Sequence, residues 1–364
     1  MARKAKTEET PDTLPSRYST DHPVPGFFPT GSTQLDLAFG GKGYPLGRII
    51  NIVGDFSSYK SGLGVEACIN FHRTFPDGLI RYVDSESAFD EDYAEELGLS
   101  RETVNLARDD DGKPTVTTVK ETMEDLLNFL KTGDPTLPRL YVLDSLDALI
   151  DDILTDEEAA SGYAGAKKAA AFTTLLNRVT ARLSKSNCML LIISQLRMNI
   201  GVMYGPKFRR AGGKALDFFS SAILWMNQVG ILEEEIDRIK VPVGIESRVQ
   251  VKKNKLGKPF REFRLVILFG YGIDDEMSCL EWLQKDMKVD SLMIDDKPYT
   301  LRGLKSSIKK ARKENKVRTL EKIRTALQEK TKEVWKALDD ASRTTVKKYG
   351  ESSPDTAESE DVEI

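Results

Sequence analysis

A run of residues fit for phosphate chemistry stands at Gly54-Asp-Phe-Ser-Ser-Tyr-Lys-Ser61. It closes a β-branched apolar run, Ile49 to Val53, and leads into a segment without strong helix breakers, Gly64 to Arg73. Strand, polar turn, Lys-Ser and helix are the setting of a phosphate-binding loop, in which backbone N–H groups and the helix N-terminus take phosphate oxygens. In that reading Gly54, Asp55, Phe56, Ser57, Ser58, Tyr59, Lys60, Ser61 and Gly62 form the nucleotide-binding turn. Lys60 would reach the β- and γ-phosphates, and the Ser61 hydroxyl would sit on Mg²⁺. The usual pattern is G-x-x-x-x-G-K-[ST], and Tyr59 fills the place of its second glycine. A phosphate nest calls for positive φ there, which glycine adopts freely and tyrosine adopts with strain.

A nucleotide site also needs an acid at Mg²⁺ or its water shell, and a hydrolase needs a group that activates water. Asp144 ends the apolar strand Leu140-Tyr-Val-Leu-Asp-Ser145 and suits the first role; Glu86, just past the strand Leu79 to Asp84, suits the second. Taken singly, each acid reads as a helix cap or a solvated strand end. Their conjunction with the phosphate turn, and with Gln195 at the end of a further strand, points to nucleotide chemistry. Gln195 opens the stretch 196–214, which carries five cations, four glycines and no acid, with Ile200, Met203, Tyr204 and Phe208 interleaved. Cations suit phosphates, glycines permit close approach and the apolar residues can stack on or wedge between bases. A solvated loop is the other reading. A γ-phosphate sensed by Gln195 could order this loop as a switch.

These residues must be positioned by a regular scaffold. Strands at Ile49–Val53, Leu79–Asp84, Leu140–Asp144 and Met189–Gln195 alternate with helical segments 90–97, about 115–131 and 167–183. That alternation predicts a parallel α/β sheet with ligands at the strands' carboxyl ends. Residues 151–166 read as a loop. Extended runs at Ala222–Leu232, Arg248–Lys255 and Glu262–Phe269 predict antiparallel strands finishing the sheet. Beyond about 276 the chain turns basic and helical, with Leu320, Ile323, Leu327, Val334, Trp335 and Leu338 marking an apolar stripe.

Composition narrows the class. The chain has 364 residues, 40% hydrophobic and 30% charged, with a net charge of −4, so nucleic-acid contact must come from local basic patches. Three scattered cysteines (Cys68, Cys188, Cys279) argue for a reducing compartment. His22 and His72 supply no zinc pattern, and no apolar run approaches the ~18 residues of a membrane span. A soluble cytoplasmic protein is expected.

The motifs together resemble the RecA family of homologous-recombination ATPases over roughly residues 27–275. Thr30-Gly-Ser-Thr-Gln-Leu-Asp-Leu-Ala is similar to the family's opening motif, and Tyr44-Pro-Leu-Gly-Arg-Ile49 to its lead-in to the phosphate loop. Asp84-Ser-Glu86 resembles the segment carrying the catalytic glutamate, and Leu143-Asp-Ser145 the Walker B strand. Ser194-Gln-Leu-Arg-Met-Asn-Ile-Gly-Val-Met-Tyr-Gly205 with Gly212-Gly-Lys-Ala-Leu216 is similar to the second DNA-binding loop almost residue for residue. The resemblance implies that Gln195 senses the γ-phosphate and that residues about 155–166 are the first DNA loop. It implies that Arg197, Met198, Asn199, Ile200, Gly201, Val202, Met203, Tyr204, Lys207, Phe208, Arg209, Arg210, Gly212, Gly213 and Lys214 contact DNA. Tyr93 stands where the family stacks an aromatic on adenine, and Lys253 and Lys255 resemble lysines that reach a neighbouring subunit's ATP. Phage recombinases of the T-even type also carry an aromatic at the Tyr59 position, so the phage-type members are the nearest expectation.

The resemblance thus implies an α/β fold with a RecA-type core, a mostly parallel sheet flanked by helices, and a small helical C-terminal domain. The expected division is a flexible arm 1–26, an ATPase core 27–275, a basic, mainly helical domain 276–349 and an acidic disordered tail 350–364, whose stretch 351–364 holds six acids and no base. The implied activity is Mg²⁺- and ATP-dependent strand exchange by a filament on single-stranded DNA. Implied partners are single- and double-stranded DNA, further copies of the chain in a helical filament, and single-strand-binding and loader proteins, with no membrane. A non-hydrolysing DNA-binding accessory protein and a ring-forming motor ATPase of the same fold are the alternatives.

Overall fold

The phosphate-loop strand lies in the middle of the main sheet. The computed structural model describes residues 26–150, 164–198, 208–209 and 213–342. Strand β1 (Phe27–Phe28) pairs with β2 (Tyr44–Pro45) around helix α1 (Thr33–Ala38), which Ser32 caps and Gly40 and Gly41 follow at positive φ. Then come β3 (Ile49–Gly54), α2 (Lys60–Thr74), β4 (Leu79–Asp84), α3 (Glu91–Leu97), β5 (Asn105–Leu106), α4 (Val119–Phe129) and β6 (Arg139–Asp144). They are followed by α5 (Ala164–Leu183), β7 (Cys188–Gln195), β8 (Arg197–Met198), β9 (Phe208–Arg209) and α6 (Gly213–Phe219). The chain continues through β10 (Ala222–Ile236), β11 (Ile239–Asn254), β12 (Glu262–Leu268), β13 (Gly272–Ile273) and α7 (Asp275–Glu281). A hairpin, β14 (Ser291–Ile294) and β15 (Lys297–Thr300), precedes α8 (Leu301–Lys313) and α9 (Val317–Ala341).

Among the described residues the main sheet runs β13-β12-β11-β10-β3-β7-β6-β4-β5. It is parallel from β10 to β5 and antiparallel from β10 to β13. The central parallel strands β3, β6 and β7 are mainly apolar and buried along almost their whole length because both faces are covered. Ile50, Ile52, Leu140, Val142, Leu191 and Ile193 enter one core with α2 and the C-terminal helices. Their alternates Ile49, Tyr141, Leu143, Leu190 and Ile192 enter a second core with α4 and α5. The period-two division of one strand between two cores is what a doubly covered sheet requires. Met123, Leu127 and Leu130 pack on the second core beside the buried Leu126, as the spacing along α4 predicts.

Two elements differ from the sequence reading. The strands expected at 222–232 and 248–255 extend to 236 and begin at 239, forming a ribbon that turns at Asp237 and Arg238, both at positive φ. Glu233-Glu-Glu235 disguised the strand, because exposed ribbon carries charge on both faces. Helix α5 begins at Ala164, so residues 164–166 of the expected loop are helical; residues 151–163 lie outside the described residues, with most of the expected first DNA loop. The expected arm up to residue 25 and the tail lie outside them too.

Helix α7 crosses the position where the sequence suggested a domain boundary. From the C-terminal stripe Ile323, Leu327 and Trp335 are buried in the first core, Leu320 and Val334 pack on it, and Leu338 is exposed. Trp335 meets the rings of Phe263 and Trp282 at 6.1 and 5.7 Å. Beside them Asp275 accepts from the Thr33 N–H and hydroxyl, both at 2.7 Å, and from Gln328 at 2.9 Å, joining α1, α7 and α9.

Candidate functional site

Register brings the candidate residues to one edge. Gly54 pairs with Gln195 and with Met226, and Asp84 pairs with Asp144, so four parallel strands deliver their carboxyl ends together. Helix α2 starts at Lys60, earlier than the apolar pattern alone suggested, and its first N–H groups have no side-chain cap. An uncapped helix N-terminus behind a polar turn presents partial positive charge to an anion.

The turn takes the conformation expected of a glycine, and takes it with a tyrosine. Tyr59 has φ 72 and ψ 25, left-handed, and Ser57 also has positive φ. Such a residue stores about 1–3 kcal/mol of strain and persists where its surroundings over-determine it. Ser58 is buried; its hydroxyl donates to the Asp55 carbonyl at 2.9 Å and its carbonyl accepts from Ser247 at 3.0 Å. A Cβ on Gly54 would lie 2.5 Å from the Met226 carbonyl oxygen, so the strand end has room for glycine alone. Phe56 is exposed at the rim.

Lys60 is half-buried and donates to the Asp55 carbonyl; among the described residues no carboxylate lies within ion-pair distance of it. Burial lowers its pKa, against the pull of Asp55, Asp144, Glu86 and Asp147. Asp144 is buried and its carboxyl is pushed up to about 6, first by desolvation, with Glu86 and Asp84 adding to it and hydrogen bonds from Tyr82 and Ser61 opposing it. The Tyr82 hydroxyl donates to Asp144 Oδ2 at 2.7 Å. Asp55 Oδ1 is buried without a partner. This set, with hard oxygens on Ser61 and Asp144 and carboxylates short of positive charge, fits Mg²⁺, an ion that takes one or two carboxylates plus phosphate oxygens.

Glu86 and Gln195, 109 residues apart, meet directly: Gln195 Nε2 donates to Glu86 Oε1 at 2.7 Å. The Ser145 hydroxyl donates to the same oxygen. The Gln195 backbone N–H donates to Asp147 at 2.7 Å, and the Leu196 N–H donates to the Gly54 carbonyl at 3.0 Å. The chain leaving Gln195 is therefore tied to the phosphate turn before it enters the basic loop. Asp84 is engaged otherwise, by the Ala88 and Phe89 N–H groups and Arg108. The stems of the loop pair as β8 and β9, Arg197 opposite Arg209 and Met198 opposite Phe208. Gly213 opens α6 and Lys214 is exposed; Asn199 to Lys207, and Arg210 to Gly212, lie outside the described residues.

The remaining candidates fall on two sides. Tyr93 is half-buried, its hydroxyl beside that of Tyr59 and the Gly270 backbone. Lys253 pairs with Ile223, which is level with Asn51, so it lies some three residues, or ~10 Å, from the phosphate turn along the strand direction. Lys253 donates to the Asp217 and Phe218 carbonyls, and burial, with Arg48 adding to it, lowers the Lys255 pKa. Structure adds Tyr82, Ser145, Asp147, Asn227 and Ser247 to the site. Of these only Ser145, beside Asp144, carried a signal in sequence.

Glu66 sits one helical segment behind the loop. Burial pushes its carboxyl up to about 7 from 4.5, with the Ile273 N–H and Tyr59 hydroxyl opposing and Asp275 adding. The native protein then holds a proton that the unfolded chain has released, so this stability is complete below the unfolded value and is lost as pH rises through about 7. Glu66→Gln is expected to gain melting temperature relative to wild type as pH rises from about 5 to about 8; parallel curves in a thermal scan would reject the shift.

A sheet that aligns a phosphate-loop turn, two acids and a glutamine along its carboxyl edge defines an α/β protein of P-loop architecture. A family model described as the RecA N-terminal domain matches residues 19–274. Protein RecA of Leifsonia xyli subsp. xyli is 34% identical over 254 residues, 70% of this chain and 66% of the relative. Protein RecA of Bartonella quintana is 35% identical over 245 residues, 67% of this chain and 66% of the relative; that of Streptomyces ambofaciens is 34% identical over 248 residues, covering 68% and 62%. The chain belongs to the RecA family, and the match spans just under two-thirds of these relatives' length.

Proposed function

We propose that the chain is an ATP-dependent recombinase that assembles as a helical filament on single-stranded DNA and promotes pairing and exchange with double-stranded DNA. The observation that carries this reading is the Gln195–Glu86 contact, with Gln195 opening a loop rich in cations. Lys60 and the uncapped amides of α2 bind and orient the phosphates. Mg²⁺, held by Ser61 and Asp144, would neutralise charge on the phosphate oxygens. Glu86 takes the proton of the attacking water, and Ser145 fixes the carboxylate that does so. Gln195 exchanges its Glu86 contact for a γ-phosphate oxygen, and the movement is passed to the DNA-binding residues of 197–214.

Lys253 and Lys255 act in trans in this reading, since they lie away from their own chain's phosphate turn. The division into a core 27–275 and a basic segment 276–349 is kept as a functional one. The phage-type assignment rests on Tyr59. The reading of a non-hydrolysing accessory protein draws on the same residue. Phosphate release from ATP, measured with and without single-stranded DNA, separates the two. DNA-stimulated release is expected; DNA binding without release would leave the accessory protein. Negative-stain images with DNA and ATP are expected to show filaments, and closed rings would favour the motor.

A further inference from the structure

The left-handed Tyr59 is held by contacts that no phosphate loop with a glycine there would need. Its ring lies over Gly62, where a Cβ would come within 2.2 Å of a ring carbon. Its hydroxyl donates to Glu66 Oε1 at 2.8 Å. The same oxygen accepts the Ile273 N–H at 2.7 Å, so Glu66 is itself fixed by β13. Gly272 closes the far side at positive φ, and a Cβ there would lie 2.6 Å from Glu66 Oε1 and 3.2 Å from the Tyr59 hydroxyl. Tyr93 adds its hydroxyl from α3. Tyr59 stands just before α2 and Glu66 two turns inside it, and the Tyr59 ring reaches along the helix start over Gly62 to meet it.

We infer that Glu66 is a positioning residue which, through the Tyr59 hydroxyl, holds the phosphate loop in its left-handed turn. A side-chain clamp anchored on β13 here does what a glycine does by lacking a Cβ. Glu66 touches no phosphate in this scheme; it acts through Tyr59. Gly62 and Gly272 are companion features, since each leaves room for one end of the clamp. The consequence for function rests on the proposed nucleotide reading: the loop is pre-organised, and loosening the clamp weakens nucleotide binding more than it slows turnover.

The test is hydrogen exchange of a peptide spanning residues 54–63, first without nucleotide and then with Mg-ATP. Tyr59→Phe keeps the ring and removes the hydroxyl, and Glu66→Gln keeps an acceptor oxygen for Ile273. Without nucleotide, exchange in Tyr59→Phe is expected to quicken about tenfold, the equivalent of about 1.4 kcal/mol, with Glu66→Gln close to wild type. Glu66→Leu, which removes the acceptor, is expected to quicken exchange about as much as Tyr59→Phe, and adding it to Tyr59→Phe should change the loop no further, because the two residues act through one contact. In steady-state assays the Tyr59→Phe effect should fall on KM for ATP rather than on kcat. Unaltered loop exchange in Tyr59→Phe would overturn the clamp, as would full additivity of Tyr59→Phe and Glu66→Leu. The nucleotide reading is judged separately, by whether Mg-ATP slows exchange of the wild-type loop.

Discussion

Lys60→Ala is expected to abolish measurable ATP binding, whereas Glu86→Gln is expected to bind ATP and turn it over about 10²–10⁴-fold more slowly, the range of a positioned general base. The two outcomes differ because the residues meet different parts of the problem. Lys60 supplies a half-buried positive charge with no carboxylate partner among the described residues, so its loss leaves phosphate facing Asp55 and Asp144 alone. Glu86 carries its carboxylate to the edge of the site, and an amide keeps the shape and the acceptor oxygen used by Ser145 and Gln195. Binding by equilibrium fluorescence and turnover by phosphate release separate the effects. Wild-type turnover in Glu86→Gln would remove the base assignment.

The second large effect is expected at Gln195. Gln195→Ala should still bind ATP, yet ATP should no longer tighten its grip on single-stranded DNA. The side chain that now rests on Glu86 is one residue from the Leu196 N–H held by the Gly54 carbonyl, and two from the cationic stem at Arg197. Without the amide, nothing at that position can exchange one oxygen partner for another. The measurement is DNA affinity with an ATP analogue and with ADP, in wild type and variant, across a salt series. The salt dependence should show a slope of about 0.7 per phosphate neutralised on a single strand. Equal tightening by ATP in both proteins would rule Gln195 out as the switch.

Much of the site was legible because buried parallel strands write themselves plainly. Ile49–Val53, Leu79–Asp84, Leu140–Asp144 and Met189–Gln195 are mainly apolar runs, and such strands end where their useful side chains stand. The positive φ of Tyr59 followed from the missing glycine. What stayed hidden depends on long-range geometry. Ser247 reaches the loop across 189 residues and Asn227 across 172, separations that no local pattern spans. Glu66 reads as an ordinary acid inside a helix until the fold buries it against β13. The ribbon of β10 and β11 was read short because three successive glutamates break the alternation by which strands are recognised.

Those glutamates have a bearing on how the protein keeps company with its own kind. Among the described residues β10 leaves β3 after Met226, and β11 leaves β12 before Gly244, so the outer ribbon has open backbone along both margins. Ile231, Ile236 and Ile239 are exposed there, which by itself would make an inviting template for a stray strand. Glu233, Glu234, Glu235 and Lys240 surround those isoleucines with charge, and Pro242 withholds an N–H from the margin. The residues that obscure the ribbon in the sequence are thus gatekeepers against edge-to-edge aggregation, and their contribution is to solubility at high protein concentration rather than to the depth of the folded state.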